Sequence, residues 1–558
     1  MSRFLAWCVM FLCGCQLALN AQTVSGTCGK NGSTVEWELD LAKGLLLIGG
    51  EGEMQDFAPD DERWNGMKDR IITVSIGGFV TSIGDNAFAG CKFLNKVLVG
   101  AGMETIGDSA FCNCRQLTEF KVAAGVKDIG ETAFFRCHRL KTFTVDESNE
   151  CFTVGSCGEL IDKSRATLIS FPVPSSYTHT EYEVPSDVTE IGRAAFFFCD
   201  KLQTIKIHKD VKRIGEGAFR GCEVLSKIDL SLDNSSYTMV DGIIYNKEKT
   251  RLLVCPPNLK VKSVSIPETV TEVCNFAFSG CRNLVKVQLP LSVKRIGCNA
   301  FGACKSLKTV NVPEGVARLE DYTFSGCKVL KSMQLPSSLK SIGEYAFLNC
   351  MNLKTVNFPQ RVTSIGNSAF KYCFALERVK LQSIMKFNLF ACFENCPNLK
   401  NIDVGEENVA YSSLDGILFD KEKTTLLYCA GKRGVVKIPE TVETIAESAF
   451  VSLTAAKVYF PSSVKRFATK SLPVISTEKG MLHLYLPCTD VPELDGRQSV
   501  AKLIVSETRT YKGYSATGTK EKKTVLHVPK GCKQKYLDHP GWGKLFGGDN
   551  GEIKDDIE

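Results

Sequence analysis

One five-residue string, Ala-Phe-x-x-Cys, recurs at a fixed period and constrains the fold more than any other feature. It ends at Cys91, Cys114, Cys137, Cys199, Cys222, Cys281, Cys304, Cys350 and Cys373, with Thr-Phe before Cys327 and Cys-Phe before Cys396. A further copy, Ala449-Phe450, has Leu453 in the cysteine place. Within blocks the spacing is 23 residues; between blocks it is 62, 59 and 57, one period plus an insertion each time. A unit this small cannot bury its own apolar edge. Copies must stack and share one continuous core, so the chain is expected to be a repeat solenoid.

Aligned, a unit reads Val-x-x-Ile-Gly-x-x-Ala-Phe-x-x-Cys-x-x-Leu-x-x-Val-x-Leu-Pro, seen cleanly from Val293 through Ile296, Gly297, Ala300, Phe301, Cys304, Leu307, Val310 and Val312 to Pro313. Val310-Asn311-Val312 alternates as a short half-buried strand. Pro313 ends it, because proline cannot donate to a sheet ladder. Gly297 is expected at a positive φ in the turn before Ala-Phe. Ala300, Phe301, Cys304 and Leu307 fall on about one helical face. The expected class is therefore an α/β repeat solenoid, rich in β, with 23-residue units, hairpin inserts and terminal caps.

The repeat explains the two unusual counts, 25 Cys and 33 Phe, since eleven Cys and twelve Phe sit in its ladder. The ladder thiols are expected to be reduced. Equivalent side chains in stacked coils point the same way, and a disulfide torsion is then hard to reach. A thiol also packs well as a small apolar group. The remaining cysteines form no Cys-x-x-Cys pair and have no His at ligand spacing, so zinc is not expected. Cys151 and Cys157 could pair locally in an exported chain; reduced thiols there are the alternative.

Hydrophobic residues at 44% and charged ones at 23% exclude a disordered chain. Lys+Arg (68) and Asp+Glu (62) are interspersed and nearly balanced, so no nucleic-acid partner is expected. Residues 1–21 read as a secretory signal peptide: a basic start at Arg3, an apolar run to Leu19, and Ala21 before the cut. In a rival reading, Leu12-Cys13-Gly14-Cys15 resembles a lipoprotein box and Cys15 carries a lipid anchor. No other segment approaches the ~20 apolar residues that a membrane span needs.

The closing Leu-x-x-Val-x-Leu of each unit matches the leucine-rich-repeat core pattern. The twelvefold motif, together with Val240-Asp241-Gly242-Ile243-Ile244-Tyr245 echoed by Leu414-Asp415-Gly416-Ile417-Leu418-Phe419, resembles the BspA-like leucine-rich-repeat family of surface and secreted proteins. The resemblance covers about residues 23–546. It implies hairpins near 146–184, 231–266 and 405–438 that split a solenoid at 71–466. It also implies an N-terminal β cap over 22–70 and divergent repeats with a cap over 467–558. It further implies binding rather than catalysis, with extracellular proteins (host matrix or microbial surface) as partners and glycans as the alternative. A structural envelope protein without a specific ligand is a third reading. The chain is expected to act as a monomer.

Enzymatic signals are absent from the sequence. The six His (138, 179, 208, 483, 527 and 539) lie in no metalloprotease motif, and there is no nucleophile elbow, P-loop or dinucleotide fingerprint. No cofactor, metal or catalytic residue is expected. A sugar-binding surface would want aromatic rings in a row, but Trp37, Trp64 and Trp542 lie outside the repeats.

Two surfaces are candidates for a partner. The first is a polar ladder five and seven residues after each ladder Cys. It holds Lys286, Gln288, Asn311, Gln334, Asn357, Arg378 and Lys380. Solenoids bind on such faces, although ordinary solvated strand edges would look the same. The second breaks the pattern: Met351 and Phe374 replace the usual polar residue after Cys, joined by Leu348 and Tyr372 before it. Contiguous exposed apolar surface marks contact sites. The alternative is that the hairpin at 405–436 covers it.

Overall fold

The computed structural model describes residues 23–558 except 60, 62, 173–179, 383–391, 451–452, 473–481, 496–502, 512–513, 523 and 548–550. The signal-peptide reading of residues 1–21 and the Cys13/Cys15 reading both lie outside the described residues. Two compact units are formed. One runs to Lys249 and includes Leu253–Lys260; the other comprises Thr250–Leu252 and Val261–Glu558.

Each unit is a β-solenoid. In the second, two-residue strands at Glu272–Val273, Arg295–Ile296, Arg318–Leu319, Ser341–Ile342 and Ser364–Ile365 stack in parallel. Opposite them run Ser263–Ser265, Lys286–Gln288 and Thr309–Val310, then Thr355–Asn357, Arg378–Leu381 and Asn401–Val404. Partners are one period apart, so identical positions of successive units stand side by side. Val287 is buried while Lys286 and Gln288 are exposed, as a period of two requires.

The phenylalanines stack between these layers. Ring centroids lie 5.0 Å apart for Phe278–Phe301, 5.3 Å for Phe301–Phe324 and 4.9 Å for Phe347–Phe370, with planes within 10°. In the first unit Phe88–Phe111 and Phe111–Phe134 continue the same pattern at 5.3 and 5.8 Å. Trp64 extends that ladder by one place, stacked on Phe88 at 5.5 Å.

The segment read as one helical face is a chain of turns. Its amides do not reach back four residues. Asn299 N donates to Asp321 O (2.9 Å) and Phe301 N to Thr323 O (2.8 Å), both in the next coil. Left-handed backbone at Asn299 (φ 55°) and Ala303 (φ 56°) prevents a helix from propagating. The apolar spacing resembled a helix because every apolar side chain in the turn points to the same core.

Gly297 is needed for another reason than the one expected. It is not among the residues with positive φ. A Cβ there would lie 2.3 Å from Asn275 Oδ1 and 2.6 Å from Asn275 N of the preceding coil. The glycine permits close approach of coils; the left-handed conformation falls on residues five and one before the cysteine.

Antiparallel meanders interrupt both units. Phe152–Val154, Leu160–Asp162 and Thr167–Ser170 form one, and its last strand joins Glu190–Ile191 in parallel. Tyr411–Leu414, Ile417–Asp420 and Thr425–Tyr428 form another, joined to Thr444–Ile445. Each starts at a buried asparagine. Asn149 Oδ1 accepts from Cys151 N and Phe152 N; Asn408 Oδ1 accepts from Ala410 N and Tyr411 N. At the N-terminal end Thr23–Thr27, Glu36–Asp40 and Leu45–Gly49 form an antiparallel sheet that meets Thr73–Ile76 in parallel. Two short helices, Lys533–Asp538 and Pro540–Phe546, lie at the other end, where Trp542 packs edge-on against Phe467. Among the described residues no helix is long and apolar enough to cross a membrane.

Candidate functional site

The ladder cysteines are structural donors. Cys304 Sγ lies 3.0 Å from Phe278 O, Cys327 Sγ 3.2 Å from Phe301 O and Cys373 Sγ 3.2 Å from Phe347 O. The same bond links Cys114 to Phe88 and Cys222 to Phe196 in the first unit. Each carbonyl also accepts the amide of the cysteine in its own coil, so both lone pairs are used. Where the next unit lacks its cysteine, the Tyr428 hydroxyl donates to Phe393 O instead, at 3.1 Å. All described cysteines, Cys151 and Cys157 included, are free thiols. Burial pushes the Cys350 and Cys396 thiols up to about 12. Such groups are poor nucleophiles.

On the polar ladder Lys286, Gln288, Gln334, Asn357, Arg378 and Lys380 are exposed. Arg378 reaches Asp403 at 3.6 Å. Asn311 does not belong with them. Its amide is turned onto the preceding coil, accepting from Leu289 N (2.7 Å) and donating to Leu289 O (2.8 Å). It splices the sheet where strand pairing stops.

The apolar candidates lie on the turn edge. Phe374 is 40% exposed, whereas Met351, Leu348 and Tyr372 are half-buried. Tyr372 and Phe374 have ring centroids 6.0 Å apart, and Lys371 Nζ sits 5.3 Å over the Tyr372 ring. Lys371 is also ion-paired to Glu394 at 2.6 Å. One coil back, Tyr345 stacks on Tyr322 at 4.8 Å, and Tyr322 is 39% exposed.

The residue before each ladder cysteine adopts positive φ. Most coils place Gly there (90, 221, 280, 326) or Asn (113, 349, 395). Three coils carry a large side chain instead: Arg136 (φ 64°), Phe198 (φ 62°) and Tyr372 (φ 61°). Left-handed backbone costs such a residue ~1–2 kcal/mol. Retained strain of this kind points to function. The sequence showed that Leu348 and Tyr372 break the pattern, but not that Tyr372, like Arg136 and Phe198, is strained.

Another grouping could not be read from the sequence. His527 Nδ1 faces the Asp556 carboxylate at 2.8 Å, and His527 Nε2 faces His483 Nδ1 at 2.8 Å. The Tyr459 and Tyr485 rings stack at 4.3 Å, and Tyr485 stacks on His527 at 4.2 Å, one ring per strand. Among the described residues, no group of three or more His, Cys, Asp or Glu is placed to hold a metal.

A stack of similar coils with buried thiols defines a repeat protein of the solenoid class. The model of the BspA type leucine rich repeat region matches residues 67–159, 174–260, 254–377, 319–430 and 376–475. The chain belongs to that family. Three solved structures are similar to it. A leucine-rich repeat protein from Eubacterium ventriosum is 22% identical, covering 79% of this chain and 92% of that one, with a TM-score of 0.35. A leucine rich cell surface protein from Faecalibacterium prausnitzii is 25% identical over 69% and 96%, with a TM-score of 0.37. A leucine-rich repeat protein from Bacteroides ovatus is 19% identical over 97% and 100%, with a TM-score of 0.28. No curated protein matches the chain.

Proposed function

We propose that this protein is an exported interaction scaffold that binds another extracellular protein, as an adhesin does, and performs no catalysis. The supporting observation is the turn edge of the second unit, where Phe374 stays 40% exposed beside the strained Tyr372. Exposed aromatic anchors next to a cation have the composition of protein-contact hot spots. Export rests on the signal-peptide reading of residues 1–21, and family membership supports both. A glycan-binding surface is the second reading, disfavoured because Trp37, Trp64 and Trp542 are buried.

The test is binding of the full mature chain to a panel of purified extracellular matrix and microbial surface proteins, beside a glycan array. Phe374→Ser with Tyr372→Asn is expected to lower affinity for a captured protein at least tenfold while the melting temperature holds. Reversing charge at Lys286, Arg378 and Lys380 should chiefly slow association and change its salt dependence. A blank protein panel with a positive glycan array would overturn the reading.

A further inference from the structure

A second cluster of rings lies on the turn edge of the first unit, across the first insertion. Phe135 and Phe197 are 62 positions apart, yet their ring centroids are 4.2 Å apart. Phe198 packs edge-on against Phe197 at 4.5 Å, and His138 against Phe198 at 4.8 Å. The coils that end at Cys137 and Cys199 carry these rings. No Ala-Phe-x-x-Cys turn lies between them in the sequence, so side chains on either side lean toward each other. A shallow, solvent-open notch remains beside them, lined by Glu131, Phe135, His138, Phe171, Arg193 and Phe197 among others.

Guanidinium groups frame the rings. Arg136 lies 5.4 Å over Phe135 and Arg220 5.9 Å over Phe197. Arg115 and Arg136 both stand close enough to His138 to disfavour its protonation, after burial. Nearby carboxylates have partners. Glu131 takes Arg193 N at 2.9 Å and Arg213 Nη2 at 2.7 Å, and Asp200 pairs with Lys201 at 3.9 Å. Glu223 follows in the next coil, and it and Arg220 are both engaged. The uncommitted charge is that of Arg136 and Arg115, which form no ion pair among the described residues. The surplus charge at the rings is therefore positive.

Two members of the cluster are held at a cost. Arg136 and Phe198 occupy the left-handed position where neighbouring coils use Asn113 and Gly221. Gly221 accommodates the arrangement: a Cβ there would meet Phe198 Cδ2 at 2.7 Å. Phe198 is nevertheless 42% exposed, so its ring gains only part of the burial that would repay the strain. The Phe198 ring is thus held available at the surface.

We infer that Phe135, Arg136, His138, Phe197 and Phe198 form a docking site for an acidic segment of a partner protein that carries an apolar or aromatic anchor. The rings receive the anchor, and the Arg136 fork receives a carboxylate, a geometry lysine does not offer. The inference rests on the interaction-scaffold reading and places a contact in the unit that reading does not use.

The test is fluorescence anisotropy of the full mature chain with a labelled poly(Glu,Tyr) copolymer, beside poly-Glu and heparin. The wild-type chain should bind the copolymer at least tenfold more tightly than poly-Glu. Arg136→Asn with Phe198→Asn should lower copolymer affinity at least tenfold. Its melting temperature should hold or rise, because Asn suits this backbone at 113, 349 and 395. Three results would overturn the inference: no copolymer binding by the wild-type chain, equal binding by the variant, or a lower melting temperature in the variant. Heparin binding as tightly and lost with the same substitutions would assign the site to an anionic polysaccharide and overturn it too. Phe374→Ser with Tyr372→Asn should leave copolymer binding intact. Failure of the scaffold reading would show separately, as a blank protein panel.

Discussion

Cys350 Sγ donates to the carbonyl oxygen of Phe324, one coil away, at 3.2 Å. That contact makes the cysteine ladder a set of polar joints between coils, beyond a column of small apolar groups. It also explains why sulfur suits the place. A thiol is compact enough for a fully buried position and still carries a weak donor.

Replacing Cys350 with Ala should therefore remove both packing volume and one acceptor's partner. The expected loss is about 1–2 kcal/mol, from a small cavity and an underused carbonyl. Chemical unfolding of Cys350→Ala and Cys350→Ser measures it. Ser restores a donor in a shorter side chain and should recover part of the loss. Equal losses would mean that the carbonyl contact adds nothing.

Thiol titration offers a second check. The ladder cysteines are buried, with Cys350 pushed up to about 12 by burial alone as the largest cause. A chain of residues 22–558 at pH 8 should show few reactive thiols when native. After unfolding without reductant it should show at least the eleven ladder groups. A smaller number would require disulfides in the ladder.

Two glycines should respond differently to substitution. Gly297→Ala places a Cβ 2.3 Å from Asn275 Oδ1 and 2.6 Å from its backbone nitrogen, so a coil must shift. Overpacking of this kind costs about 1–3 kcal/mol. Gly326 has φ 75° and its Cβ would meet Ala303 Cα at an ordinary 3.4 Å. Gly326→Asn should be nearly neutral, since Asn349 and Asn395 hold the equivalent place. Thermal melts of the two variants decide, and a similar fall in both would refute the distinction.

The C-terminal strands should weaken in mild acid. Burial lowers the His483 imidazole below its ordinary 6.5, helped by His527, Lys457 and Lys554 and opposed by Asp556. Because the folded value lies below the unfolded one, the unfolded chain takes up the proton first. Stability is therefore full above about 6.5 and falls as pH drops through the window beneath it. Amide exchange in Thr524–Pro529 and Gly551–Ile557 between pH 7.5 and 5 should accelerate. His483→Asn should flatten the dependence, and an unchanged slope would exclude His483 as its source.

Much of the fold was legible because a repeat writes the same packing instruction many times. Val287, Phe301 and Cys304 are buried where their period placed them. The turn was misread as helix-like because a helix and a turn edge can both present Ala300, Phe301, Cys304 and Leu307 to one core. What distinguishes them is where Phe301 N finds its acceptor, and that acceptor, Thr323 O, belongs to another coil. Asn311 was misassigned for a related reason. Alternation says which face a side chain leaves from, not whether its amide turns back onto Leu289.

By itself, then, the chain of residues determined the period, one strand of each coil, the Phe and Cys ladders and the family. These follow from which side chains are apolar and how far apart they lie. The second β layer, of two-residue strands, came only with the structure. Tertiary structure alone decided which coils bear the cost of a left-handed Arg136, Phe198 or Tyr372, and which rings meet across an insertion. Phe135 and Phe197 come within 4.2 Å because the coils that carry them stack on either side of a hairpin. Contact across that distance in sequence depends on the spacing of coils in space, and no local pattern encodes it.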